Sequence, residues 1–203
     1  MSRITPPPAS AESFVRGARP PDAADIARIQ VDCWRASYAG LVPVAVLAGL
    51  TSPEAERRWR EHWAASLTGP PTSRHRVLVA VTAGDGGTRL VAGFASFGPA
   101  TDPDRWPATD AELYELCVAQ DQAERGHGSR LLNAAAATMA EDGFGTVSAW
   151  VLERDAAARR FLESSGWAAD GTRKELDMGS SVPVIRLHAA LSPGWAGPGE
   201  AVG

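Results

Sequence analysis

In the stretch AQDQAERGHGSRLL, residues 119–132, two glycines one residue apart stand between an apolar run, Leu113 to Val118, and a segment rich in leucine and alanine. At a strand-to-helix turn, exposed amide N–H groups and the start of a helix dipole favour an anion. Gly126 and Gly128 would let the backbone wrap a phosphate or pyrophosphate closely. A helix entry that merely turns tightly is the other reading of the glycines by themselves. Two phosphate motifs fail in detail. The dinucleotide fingerprint needs a third glycine where Leu131 stands, and the P-loop needs Gly-Lys-Ser/Thr where Ser129 and Arg130 follow Gly128.

The other reactive side chains exclude several chemistries. Cys33 and Cys117 are too few for a disulfide framework and lack metal-ligand spacing. His62, His75, His127 and His188 form no ligand pair, so no metal is expected. A net charge of −4 argues against a nucleic-acid binder and mildly favours an amine-bearing substrate. The N-terminus has no apolar core of the signal-peptide kind. The longest apolar stretch, Leu41 to Leu50, is about half of the ~20 residues a membrane span needs and contains Pro43. A soluble cytoplasmic protein without membrane contact is expected.

Positioning these groups requires a scaffold. Residues 1–12 and 192–203, rich in Pro, Gly, Ser and Ala, are expected to be disordered, leaving one domain over 13–191. Ser13 to Pro20 reads as a strand, and Asp22 suits the start of a helix running towards Gly40. Pro53 to Leu67 is a helix with Trp59, Trp63 and Leu67 at intervals of four. Arg76 to Gly84 and Thr88 to Gly98 form a hairpin. The loop Pro99 to Asp110 leads to a strand through Ala111 to Val118. A helix over Gly128 to Glu141, a strand over Gly145 to Leu152, a helix over Asp155 to Gly166 and a strand over Val182 to Leu191 follow. The order β-α-α-β-β-β-α-β-α-β predicts an α/β layer protein with a mixed sheet.

The turn's flanks resemble a known signature. AELYELC followed by VAQDQAERGHGSRLL is similar to the acetyl-coenzyme A motif of the GNAT N-acetyltransferase superfamily, whose core is Arg/Gln-x-x-Gly-x-Gly/Ala after the fourth strand. WVLERDAAARRFLESSGW resembles that superfamily's later motif, a strand followed by Asn-x-x-Ala-x-x-Phe-Tyr-Glu-x-x-Gly-Phe. RGARPPDAADIARI and SYAGLVP look like its opening, so the resemblance spans roughly residues 13 to 191. It implies a single-domain acyl-CoA N-acyltransferase fold, a mixed, mostly antiparallel sheet flanked by helices.

The resemblance also implies roles. The pyrophosphate of acetyl-CoA would be held by amides from Glu124, Arg125, Gly126, His127, Gly128 and Ser129, with His127 exposed on the turn. Leu116, Cys117 and Val118 would offer backbone groups to the pantetheine arm, as an added strand does. Asp155 and Phe161 belong to the later motif's cofactor contacts. A backbone N–H near Cys117 or Val118 would hold the oxyanion. Acetyl transfer to a small-molecule or peptide amine, by direct attack, needs a base. Glu112 ranks first by its place relative to the turn, and Glu115 second. Spaced by three, they lie on opposite faces of a regular strand unless a bulge intervenes. Trp34 and Tyr38 lie where the family builds its acceptor pocket, and Asp102, Asp104 and Asp110 could draw an ammonium to the same cleft. A homodimer is common in the family.

Three positions depart from the pattern. Ala123 replaces the first Arg/Gln, with Arg125 or Arg130 as compensating groups. Asp155 replaces Asn. Leu162 replaces the tyrosine that in many members protonates the departing thiolate, and leucine has no proton to give. These departures keep open a non-catalytic acyl-CoA-binding module, or a transferase for a different acyl group.

Overall fold

The computed structural model describes residues 13–191; the segments expected to be disordered lie outside them. Seven strands form one sheet: β1 (Phe14–Gly17), β2 (Arg76–Ala83), β3 (Arg89–Pro99), β4 (Asp110–Val118), β5 (Thr146–Leu152), β6 (Ala168–Asp177) and β7 (Ser181–Ala190). Their spatial order is β1-β2-β3-β4-β5-β7-β6. Every pairing is antiparallel except β4 with β5. The helices are α1 (Ala23–Ser37), α2 (Val44–Thr51), α3 (Pro53–Thr68), α4 (His127–Glu141) and α5 (Ala156–Ser164).

Two cores sit on the two faces. On one, Ile26, Ile29 and Trp63 of α1 and α3 pack on Val79, Val81, Phe94 and Cys117. On the other, Leu131, Leu132, Ala135 and Met139 of α4 pack on Phe97, Ala111, Leu113 and Val147, joined by Leu162 of α5. The α3 periodicity is as expected: Trp63 is 7% exposed, and Ser52 caps the helix by accepting from the Ala55 amide.

Two elements were not expected. Helix α2 has only eight residues and is apolar all round, so no periodicity announces it. Strand β6 is almost wholly exposed and polar, an edge strand held by its pairing with β7. Asp22 precedes α1 as expected, but makes no side-chain cap. Its carboxylate instead accepts from Arg16 at 2.7 and 2.9 Å and from the Arg19 amide, tying β1 to α1.

Candidate active site

Strands β4 and β5 pair only over three residues, from Asp110↔Thr146 to Glu112↔Ser148. Beyond that point β4 stays with β3 as far as Gly93↔Val118, while β5 follows β7 along its whole length. The two therefore diverge, and the β4 edge that faced β5 carries no ladder bonds past Glu112. The wedge opens into a cleft of about 760 Å³ walled by residues 113–118 of β4 and 149–152 of β5. A strand edge left unpaired in this way is a template for an extended ligand.

At one end of the cleft lies the glycine turn. Glu124 (φ 60°) and Gly126 (φ 78°) both take left-handed backbone, and α4 begins at His127 with no carboxylate in its first turn. The amides that open α4 are thus free of an internal counter-charge, which suits an anionic group. Arg130 folds back on the turn, Nη1 donating to the Arg125 carbonyl at 3.0 Å and lying beside Gly126. This sets a guanidinium beside the turn. A Cβ on Gly128 would sit 3.4 Å from the Phe161 ring, so the second glycine lets α5 lean on the start of α4. Asp155 caps α5, accepting from the Ala158 amide at 2.9 Å.

His127 is a correction. Expected to be turn-exposed, it is 2% exposed, with Nδ1 lacking a partner. Burial first, then the cations of Arg130 and Arg125, hold its pKa below the usual histidine value.

At the centre, β4 carries a bulge. The register passes from Phe97↔Leu113 to Ser96↔Glu115, leaving Tyr114 without a partner. Glu115 therefore enters the cleft wall, half-buried, and accepts from Gln30 Nε2 at 2.7 Å through Oε2 and from Cys117 Sγ at 3.5 Å through Oε1. Removal from bulk water, more than the neighbouring Cys33 charge, raises its pKa to about 7, against the hydrogen bonds of Cys117, Gln30 and Trp34. Glu112 lies elsewhere. It is 9% exposed, is not among the cleft-lining residues, and accepts from the Thr101 amide at 3.0 Å and hydroxyl at 2.7 Å. Tyr114 donates to the Pro99 carbonyl at 2.7 Å and stacks near His75.

The far end of the cleft is aromatic. Trp34 stacks with Tyr38, centroids 6.2 Å apart, and meets Trp59 edge-on at 5.1 Å. Burial first, then the Glu115 charge, pushes the Tyr38 hydroxyl pKa well up. Trp150 of β5 completes this end, its indole donating to Asp102 at 2.8 Å, with the Lys174 ammonium 3.7 Å from its ring centroid.

The acidic loop is not free to attract an ammonium. Arg186, 3% exposed, binds Asp102, Asp104 and Asp170, and Arg105 adds a second cation on Asp170 at 2.7 Å. Asp110 accepts from the Trp106 amide and from Thr146. Of the sequence-derived site residues, Leu116, Cys117, Val118, Glu124, Gly126, His127, Gly128, Ser129, Asp155, Phe161, Trp34, Tyr38 and Glu115 line one cleft; Arg125 and Glu112 do not. Gln30, Cys33 and Trp150 were missed: the resemblance put Trp34 and Tyr38 at the acceptor pocket, but which other side chains of α1 and β5 reach the cleft or Glu115 only the fold reveals. Among the described residues no cluster of metal-ligating side chains occurs, and no helix is long and apolar enough to cross a membrane.

Comparison with known proteins bears on the family and the fold. The model of the acetyltransferase (GNAT) family matches residues 27–167. An uncharacterized N-acetyltransferase of Bacillus subtilis, YuaI, is 33% identical over 141 residues, covering 70% of this chain and 72% of its own. Among solved structures, yncA of Salmonella typhimurium with its cofactor acetyl-CoA superposes with TM-score 0.61 at 22% identity, covering 92% of this chain and 98% of its own. The PaiA N-acetyltransferase of Thermoplasma acidophilum in complex with coenzyme A gives 0.63 at 15% identity, covering 86% and 98%.

Proposed function

Because the chain belongs to the acetyltransferase (GNAT) family and is an acetyl-CoA-dependent acetyltransferase, we propose that it moves the acetyl group directly to a primary amine bound at the aromatic end of the cleft, with Glu115 as the proton acceptor. The observation that carries this reading is the half-buried Glu115 carboxylate in the wall of the β4–β5 wedge, which the glycine turn and the Trp34–Tyr38 pair also line. A carboxylate with a pKa of about 7 is poised to exchange protons near neutral pH.

Acetyl-CoA supplies the activated acyl carbon; the chain's own residues do the rest. The amides of residues 124–129 and the Arg130 guanidinium suit the pyrophosphate, and the unpaired edge of Leu116 to Val118 suits the pantetheine amides. Trp34 and Tyr38, which line the cleft, offer aromatic rings to a cationic amine, while the Trp150 ring already has the Lys174 ammonium 3.7 Å from its centroid. Glu115 takes a proton from the ammonium, freeing the nitrogen lone pair for attack. Leu162, in the wall, offers no proton to the departing thiolate, which is left to solvent. Leucine also supports a second reading, transfer of a bulkier acyl group, which comparing acetyl-, propionyl- and succinyl-CoA would separate.

The test is thiol release from acetyl-CoA across a panel of primary amines, with the wild type, Glu115→Gln and Glu112→Gln side by side. Amine-dependent release that collapses in Glu115→Gln alone supports the assignment. Collapse in Glu112→Gln alone transfers the role to Glu112. Coenzyme A binding without release on any amine would sink the catalytic reading in favour of a binding module.

A further inference from the structure

Resting on the reading of Glu115 as the base, the structure points to a device that orients it. We propose that Gln30, locked by Trp63, is a positioning residue that keeps Glu115 Oε2 as a permanent acceptor and leaves Oε1 as the oxygen that takes and returns the proton.

The Trp63 indole N–H can only donate. It donates to the Gln30 side-chain carbonyl at 2.8 Å, inside the α1–α3 core, where Gln30 is 2% exposed and Trp63 is 7% exposed. Trp63 is itself held edge-on against Phe94, centroids 5.3 Å apart. With its carbonyl committed, Gln30 must turn its NH₂ group the other way, and that group meets Glu115 Oε2 at 2.7 Å. An NH₂ group only donates, and a protonated Oε2 would be a poorer acceptor for it, so the Gln30 bond disfavours the proton on that oxygen. When the amine's N–H bond breaks, the new O–H bond therefore forms at Oε1.

Oε1 accepts from the Cys117 thiol, a weak donor, at 3.5 Å, and both groups line the cleft. Cys33 and Tyr38 are the other titratable groups acting on this carboxyl, from α1 and its end, and the Trp34 indole is also bonded to it. Gln30 differs from these in that its orientation is set by a hydrogen bond of its own from the core indole of Trp63. Gln30 bonds to the ionised carboxylate more strongly than to the neutral acid, so it should also favour ionisation.

The test titrates the Glu115 carboxyl by ¹³C NMR in the free protein and measures the pH profile of kcat/KM, in wild type, Gln30→Leu, Trp63→Phe and Glu115→Gln. The expected result is a Glu115 titration, and with it the acid limb of the profile, displaced upward by about one pH unit or more in Gln30→Leu. Trp63→Phe keeps the ring in the core but frees Gln30 to rotate, so a smaller displacement in the same direction is expected with the fold intact. A lowered plateau with an unmoved Glu115 titration in both variants would mean a packing role only and overturn the proposal. Wild-type turnover in Glu115→Gln would instead overturn the base assignment, while the NMR titration still decides whether Gln30 orients this carboxyl.

Discussion

Glu112 and Glu115, three residues apart on β4, face the same side of the sheet. Their cross-strand partners are Gly98 and Ser96, two apart on β3 and hence on one face, with Tyr114 inserted as the bulge between them. The face is the one covered by α1 and α3, since Phe94, two residues before Ser96, packs there. Sequence spacing alone offers one of the two glutamates to the cleft. The bulge turns both the same way, and distance along the strand then separates them: Glu112 reaches Thr101, and Glu115 reaches Gln30.

The first prediction follows from that separation. Glu115→Gln keeps the shape and the hydrogen bond to Gln30 but cannot take a proton, and turnover should fall about 10²–10⁴-fold, the range general-base catalysis supplies. Glu112→Gln should stay within a few-fold of wild type in kcat while lowering Tm, because Thr101 loses a charged acceptor. Equal losses of kcat in the two variants would contradict the separation.

The second concerns pH. The Glu115 pKa is raised from the usual 4.5 to about 7, so the folded protein binds more protons than the unfolded chain between those values. This group's contribution is therefore most favourable below pH 4.5, declines as pH rises through the window, and is fully unfavourable above pH 7. Activity should run the opposite way, rising through an acid limb near pH 7. Glu115→Gln should accordingly be more stable than wild type at pH 8 by on the order of 2 kcal/mol, a figure reduced for solvent in the cleft, and the gain should vanish by pH 4. Thermal melts of both proteins at the two pH values check this; a variant less stable at pH 8 would refute it.

Much of this was legible in the chain. The glycine turn could be read because left-handed backbone at a helix entry selects glycine, and α3 because Trp59, Trp63 and Leu67 repeat on one face. Strand β6 could not, since an exposed edge strand has no buried face to imprint alternation. Gln30 carries no local signal at all: its two partners lie 33 and 85 positions away. His127 looked like a turn residue by its glycine neighbours, and only the packing around the start of α4 buries it.

The third prediction tests the acidic loop. Arg186 is buried with Asp102, Asp104 and Asp170 around it; burial pushes the Asp170 pKa up, but the bonds from Thr172 and then Arg186 bring it down to about 2. Arg186→Met removes the shared cation and leaves carboxylates facing one another, which should cost about 3–5 kcal/mol and release the loop from β7. Because Asp102 also accepts from the Trp150 indole, KM for the amine should rise as that ring loosens. A variant with unchanged Tm and KM would show that the network neither holds the loop nor supports the cleft.

The last prediction separates the two glycines of the turn. Gly126 has φ 78°, and an alanine there is strained by about 1–2 kcal/mol, with the Arg130 guanidinium 3.4 Å from the new Cβ. Gly126→Ala should weaken coenzyme A binding by disturbing the turn and Arg130 together, with a modest loss of Tm. Gly128 has no left-handed φ and is limited by the Phe161 ring, also at 3.4 Å, so an alanine there needs only a small shift of α5, whereas Gly128→Val drives its extra methyls into the ring. Calorimetric titration with coenzyme A should rank affinity as wild type, Gly128→Ala, then Gly126→Ala and Gly128→Val together at the bottom. If all the variants bound equally well, the glycines would serve only to turn the chain, and the pyrophosphate would have to be sought away from the start of α4.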